Sequence, residues 1–232
     1  MPEPKIVAFD IEATNLDADF GYMVCGATKE LGKTAKVSTI ADFTLHDTEP
    51  WNDSELLKQF VGRLSEADVI VSYYGKGFDV PFVNARLLAN RMAPIPETIP
   101  HLDMYYVARR VLKIQSRSMA NIAELVDLDE KKTYVPRKTW IKAQTGHVPS
   151  INILAERCKG DVRVLEGAYL KLRGSIRLHP AVGRNLGDCR FCGATNLQSR
   201  GYQVTQTGRR RRVHCETCGA WDTRRINGNG SE

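Results

Sequence analysis

Four acidic residues stand where carboxylates are hard to accommodate. Asp10 and Glu12 lie in IVAFDIEATNL, an otherwise apolar run that reads as a strand. Side chains alternate across a strand, so the two acids share one face while Phe9, Ile11 and Ala13 fill the other. Like charges side by side on a sheet repel. A divalent metal between them is the natural remedy, with a solvated edge strand as the plainer alternative. Asp79 follows SYYGKGF, directly after a strand and at the start of a helix. Gly75 and Gly77 there allow the backbone to approach a ligand closely, although a simple N-cap also explains the acid. Asp161 interrupts a helical stripe of Leu154, Cys158, Leu165, Ala168 and Leu172. A carboxylate on such a face is costly unless it binds a metal or pairs with a Lys or Arg at the core edge. Asp103, just before Met104-Tyr105-Tyr106, reads as an N-cap. His101, His147 and His179 have no partners at metal-binding spacing and read as structural or surface residues.

A second group of ligand-type residues lies near the C-terminus, where Cys189 and Cys192 in CRFCG are matched by Cys215 and Cys218 in CETCG. Two C-x-x-C-Gly turns of this kind resemble the knuckles of a zinc ribbon, in which four thiolates bind one tetrahedral Zn²⁺. Gly193 and Gly219 let the chain turn and present N–H groups to sulfur. A redox dithiol is the alternative, and His214 could replace a cysteine. Between the knuckles, LQSRGYQVTQTGRRRRVH suits a β-hairpin. Its run Arg209, Arg210, Arg211, Arg212, with Tyr202 and Trp221 nearby, is a candidate nucleic-acid surface or else a solvated basic strand.

The totals agree with a polyanionic partner. The chain has 232 residues, with 33 Lys and Arg against 27 Asp and Glu, for a net charge of +6. Arginines gather from Gly183 onward. Of six cysteines, four sit in the paired motifs, and Cys25 and Cys158 stand alone, which favours metal binding over a disulfide framework. No apolar run is long enough to span a bilayer, and MPEPK lacks a secretory pattern, so a cytoplasmic protein with no membrane partner is expected.

The elements that must position these residues follow from periodicity. Strand-like runs at 5–13, 23–29 and 36–45 suggest an antiparallel meander. A helix capped by Asn52 or Asp53 follows, with Leu56, Leu57, Phe60, Val61 and Leu64 on its apolar side. Then come a strand at 68–73, the loop YYGKG, a helix opening near Asp79-Val80-Pro81, and helices over 104–113, 118–126 and 151–172. This describes an α/β domain with a mixed sheet. Pro and Gly in HPAVGRNLG mark a boundary. The expected organisation is a catalytic-type domain at 1–178, a linker at 179–187, a zinc ribbon at 188–226 and a disordered tail at 227–232.

FDIE, YYGKGFD and CKGDVRVL, in that order, resemble the three exonuclease motifs of the DEDD group of the ribonuclease H-like superfamily. The branch is the one related to the exonuclease domain of family B DNA polymerases. HLDMYYVARR and SMANIAELVDL are similar to intermediate segments of that family, so the resemblance covers about the first three quarters of the chain. It implies a ribonuclease H-like mixed sheet flanked by helices, with Asp10, Glu12, Asp79 and Asp161 holding two Mg²⁺ or Mn²⁺ ions that clamp the attacking and leaving oxygens of a phosphodiester. It implies 3′ to 5′ exonuclease activity, with DNA favoured over RNA as partner. An endonuclease or RNA-directed nuclease on the same fold, or an inactive nucleic-acid-binding adaptor, are the rivals. Tyr74, Lys76 and Phe78, with Tyr73, would line the nucleic-acid site. Related enzymes orient the attacking water with a His five residues, or a Tyr four residues, before the last Asp. Here those positions are Glu156 and Arg157.

Overall fold

The structure is a computed structural model that describes residues 4–130 and 133–226; the tail at 227–232 lies outside the described residues. The chain divides into two compact units, one of Lys5–Tyr169 and one of Met1–Pro4 with Leu170–Glu232.

In the first unit, β1 (Ile6–Ala13), β2 (Met23–Glu30) and β3 (Lys36–Thr39) form the expected meander. β4 (Val69–Ser72) and β5 (His101–Asp103) run parallel to β1, giving a mixed sheet of order β3-β2-β1-β4-β5. The helices α1 (Ser54–Ser65) and α2 (Asp79–Ala89) supply the crossovers that parallel strands require. β3 ends earlier than the apolar pattern suggests. Asp42 accepts the Thr39 N–H at 2.8 Å, and the chain turns into a 3₁₀ segment at Ile40–Asp42.

One face of the sheet packs on α1. Phe9 meets Phe60 edge-on at 6.1 Å between ring centroids, and Gly26, opposite Ile11, leaves the room that the Phe60 ring occupies. A Cβ at Gly26 would lie 2.6 Å from that ring. The other face, which carries Asp10 and Glu12, is met by α6 (Val148–Leu172): the Cys158 thiol donates to the Asp10 carbonyl at 3.3 Å. The stripe Leu154, Cys158, Asp161, Leu165, Ala168, Leu172 is buried throughout, as its spacing requires. Between β5 and α6 in the chain come α3 (Met104–Val111), α4 (Met119–Leu125) and α5 (Arg137–Ala143), the last unanticipated and with only Ala143 of its residues buried.

Asp53 does not cap α1 with its side chain. The carboxylate is fully buried, accepts the Met23 N–H at 2.9 Å and receives a two-pronged bond from Arg86, tying β2 to α2.

The second unit contains β6 (Leu197–Thr205), β7 (Gly208–Cys215) and β8 (Trp221–Arg225) in one antiparallel sheet. Its small core is Cys189, Phe191, Cys215 and Ala220. So little apolar surface leaves stability to the cysteines.

Candidate metal centres and nucleic-acid interface

Strand pleat and helix spacing bring three of the sequence-predicted acids together. Asp10 and Glu12 project from one face of β1, and Asp161 projects from α6. One carboxylate oxygen from each lies within 4.8 Å of the others. Oxygens bound to a single Mg²⁺ at about 2.1 Å sit no farther than about 4.2 Å apart, so small side-chain adjustments would close this set around an ion. Burial, and then the neighbouring Asp79, Glu12 and Asp161 carboxylates, hold the Asp10 carboxyl well above the ordinary range. This surplus of negative charge, made of hard oxygen donors, fits a Mg²⁺ or Mn²⁺ ion.

Asp79 stands at the first turn of α2 and is buried. Its Oδ1 accepts the Ile11 N–H at 3.2 Å, the N-cap position of α2 falls to Phe78, and the three-oxygen set does not include it. It faces the same centre electrostatically.

Arg157 enters the cluster from α6. Its Nη1 donates to Glu12, and its Nη2 lies 3.4 Å from Asp161. Asp161 therefore has a basic partner as well as a place in the three-oxygen set. Burial works against the Arg157 charge, but Glu12, Asp161 and Asp10 outweigh it and hold the guanidinium pKa above its usual value.

The YYGKG loop is held by Asp103, whose carboxylate accepts N–H groups from Tyr74 at 2.9 Å, Lys76 at 2.9 Å and Tyr105 at 3.0 Å. Asp103 is thus the expected cap of α3 and also a clamp on the loop. Tyr74 adopts φ 66°, a conformation unusual for a residue with a Cβ. The space left by Gly77 is filled by the Tyr74 ring, and that of Gly75 by Ser72, so the glycines accommodate the protein's own groups. The Tyr74 ring packs against Tyr105 at 5.0 Å. Phe78 packs on Phe82 at 5.6 Å, and Lys76 is exposed.

A groove of about 490 Å³ opens beside the acids, lined by Asp10, Tyr73, Tyr74, Tyr105, Arg117 and Ser118. Tyr73 donates to the Arg117 carbonyl, and burial pushes its hydroxyl up to about 12, which keeps it protonated. Arg117 offers a buried Nε with no hydrogen-bond partner in the described chain. Tyr105 and Arg117 escaped sequence reasoning because nothing local distinguishes them.

In the second unit the four cysteines converge. Cys189 to Cys218 and Cys192 to Cys215 are each 3.7 Å between sulfurs. A tetrahedron with metal–sulfur bonds of about 2.3 Å has edges of about 3.8 Å, so this donor set suits Zn²⁺. Gly193 and Gly219 adopt φ 75° and 71°, making the two knuckle turns. Burial raises the Cys215 thiol, but N–H groups of Cys218 and Thr217 prevail and bring it down to about 7. His214 instead packs on Trp221.

Arg209 to Arg212 lie on β7, but the pleat divides them. Arg210 and Arg212 share a face with Arg225, Thr223 and Trp221, while Arg209 and Arg211 face with Tyr202 and Arg224. Arg212 sits over the Trp221 ring at 5.1 Å and Arg209 over Tyr202 at 4.9 Å. A groove of about 620 Å³ in this unit is lined by Arg177, Arg190, Phe191, Tyr202, Arg212 and Trp221 among others.

A mixed sheet with acids on its first strand and on a late helix defines a class. A family model for the RNase_H superfamily matches residues 7–145, and the chain belongs to that superfamily. It is 29% identical over 149 residues to a DNA polymerase of Methanocaldococcus jannaschii, a match covering 53% of this chain and 9% of the polymerase. The family B DNA polymerase of the hyperthermophilic archaeon Pyrobaculum calidifontis shares its fold, with a TM-score of 0.59 at 20% identity over 75% of this chain and 26% of that one. The chain thus corresponds to only a small part of either polymerase. Among the described residues, no helix is long and apolar enough to cross a membrane.

Proposed function

We propose that the protein is a divalent-metal-dependent nuclease, a 3′ to 5′ exonuclease acting on DNA, with a C-terminal zinc ribbon that helps to hold the strand. The observation that carries this reading is the convergence of Asp10, Glu12 and Asp161 beside a tyrosine-lined groove. Asp10, Glu12 and Asp161, with Asp79 at the same centre, would hold Mg²⁺ or Mn²⁺ in the two-ion manner of related nucleases. Such ions supply an activated water and charge neutralisation at the leaving oxygen. The chain's own groups do the positioning. Tyr74 and Tyr105 offer ring faces to a terminal base, with Lys76 and Phe78 on the same loop and helix entry. Arg117, which lines the same groove, offers a guanidinium charge to a phosphate. Cys189, Cys192, Cys215 and Cys218 would bind one Zn²⁺, and Arg209 to Arg212 with Trp221 would contact nucleic acid. A cytoplasmic setting accords with the free cysteines.

Arg157 in the cluster favours one other reading, a nucleic-acid-binding adaptor without turnover. Nucleotide release from DNA and RNA with Mg²⁺ or Mn²⁺, beside chelator and an Asp10→Asn variant, separates the two. Metal-dependent release that the variant loses supports the nuclease; binding by both proteins without release supports the adaptor.

A further inference from the structure

The acidic centre carries a cation of its own. Arg157 sits one helical turn before Asp161 and bridges two of the clustered acids, Glu12 on β1 and Asp161 on α6. Its guanidinium also lies over the Trp140 ring of α5, 5.5 Å from the centroid. With only 15% of the side chain exposed, it is clamped on both sides and does not trail into solvent. A guanidinium stays charged at every working pH, and its planar fork suits two acceptors at once.

Glu12 and Asp161 are two of the three residues whose oxygens could surround an ion. A carboxylate paired with Arg157 shares with it negative charge that a divalent ion would draw on. Arg157 also occupies the helical position where the resemblance places a water-orienting Tyr. In this chain that position serves charge compensation.

We infer that Arg157 is an internal competitor of the divalent cation, so that an ion binds fully at Asp10, Glu12 and Asp161 only when the guanidinium releases Glu12 and Asp161. This rests on reading the acidic cluster as a divalent-cation site. The centre is then partly compensated without metal, and it loads metal less tightly than its carboxylates alone would.

Mn²⁺ titrated by calorimetry into zinc-loaded, full-length wild type, Arg157→Gln, Arg157→Lys and Asp161→Asn tests this, without nucleic acid. Arg157→Gln should bind Mn²⁺ about tenfold more tightly than wild type, a factor equivalent to about 1.4 kcal/mol. Arg157→Lys should fall between them, because an ammonium keeps the charge but cannot fork across both carboxylates; it carries the comparison alone should Arg157→Gln not fold. Asp161→Asn should bind weakly or not at all. Before Mn²⁺ is added Arg157→Gln should melt below wild type, and Mn²⁺ should raise its Tm by more. If both Arg157 variants bind Mn²⁺ no more tightly than wild type while Asp161→Asn abolishes binding, the inference is overturned and the metal-centre reading stands. Absence of binding in all four proteins would remove both.

Discussion

At Asp103 a single buried carboxylate holds the N–H groups of Tyr74, Lys76 and Tyr105, and so fixes a loop whose tyrosine has an unusual φ. Replacing it with Asn weakens charge-assisted bonds and leaves at least one buried donor poorly served. Asp103→Asn should therefore destabilise the protein by about 1–3 kcal/mol, read from urea midpoints. Mn²⁺ binding should persist, since Asp103 lies outside the carboxylate cluster; loss of that binding would place Asp103 among the ligands. His101 gives a pH signature. Burial, with the Lys76 charge, pulls its imidazole from 6.5 down to about 4, where it bonds Ser72 Oγ at 2.7 Å. Protonation thus favours the unfolded chain: the stability is fully present above pH 6.5 and is lost as pH falls from there toward about 4. The stability gap between wild type and His101→Gln should shift against wild type across that window and stay constant above it, and a gap constant throughout would refute the assignment. Asp10, Glu12 and Asp161 were legible because acids inside apolar patterns are conspicuous. The pairing of Arg157 with Glu12 was not, since the two residues are 145 positions apart and only the fold joins them.

Strands and helices show which local signals survive packing. The meander and the stripe of α6 were readable because their periods run for several residues. β3 was overestimated because Ile40 continues the apolar pattern, while the Asp42 bond to the Thr39 N–H, a choice of backbone geometry, ends the strand. Asp53 resembles a cap in sequence, but its carboxylate is taken by Arg86 and Met23 N–H, both distant along the chain. β7 makes a sharper prediction, because the pleat separates residues that the sequence presents as one block. Arg212→Ala and Trp221→Ala should each weaken single-stranded DNA binding, the Trp by about 1–3 kcal/mol if a base stacks there. Arg212→Ala should also lower the salt slope by about one. Arg211→Ala, on the opposite face, should do less in the same fluorescence titrations. Equal losses at Arg211 and Arg212 would show that both faces bind.

Across the whole molecule, two units depend on different chemistry. The first has an extensive apolar core around Phe9, Phe60, Met23 and Tyr169. The second has a core of few residues and gathers four sulfurs, two pairs of them 3.7 Å apart. Removing zinc, or substituting Cys215→Ser, should unfold the β6-β7-β8 sheet and leave Lys5–Tyr169 protected, as hydrogen exchange would reveal. Cooperative loss of protection in both units would contradict that division of labour. The central claim is that the Asp10, Glu12 and Asp161 cluster hydrolyses a nucleic-acid strand from its 3′ end. It is tested most directly with 5′-labelled single-stranded DNA and Mn²⁺, comparing wild type with Asp161→Asn and resolving products at single-nucleotide steps. The account predicts a ladder shortened from the 3′ end by wild type alone and abolished by chelator. A wild type that binds the strand but leaves it intact, or a variant that shortens it equally, would contradict the account.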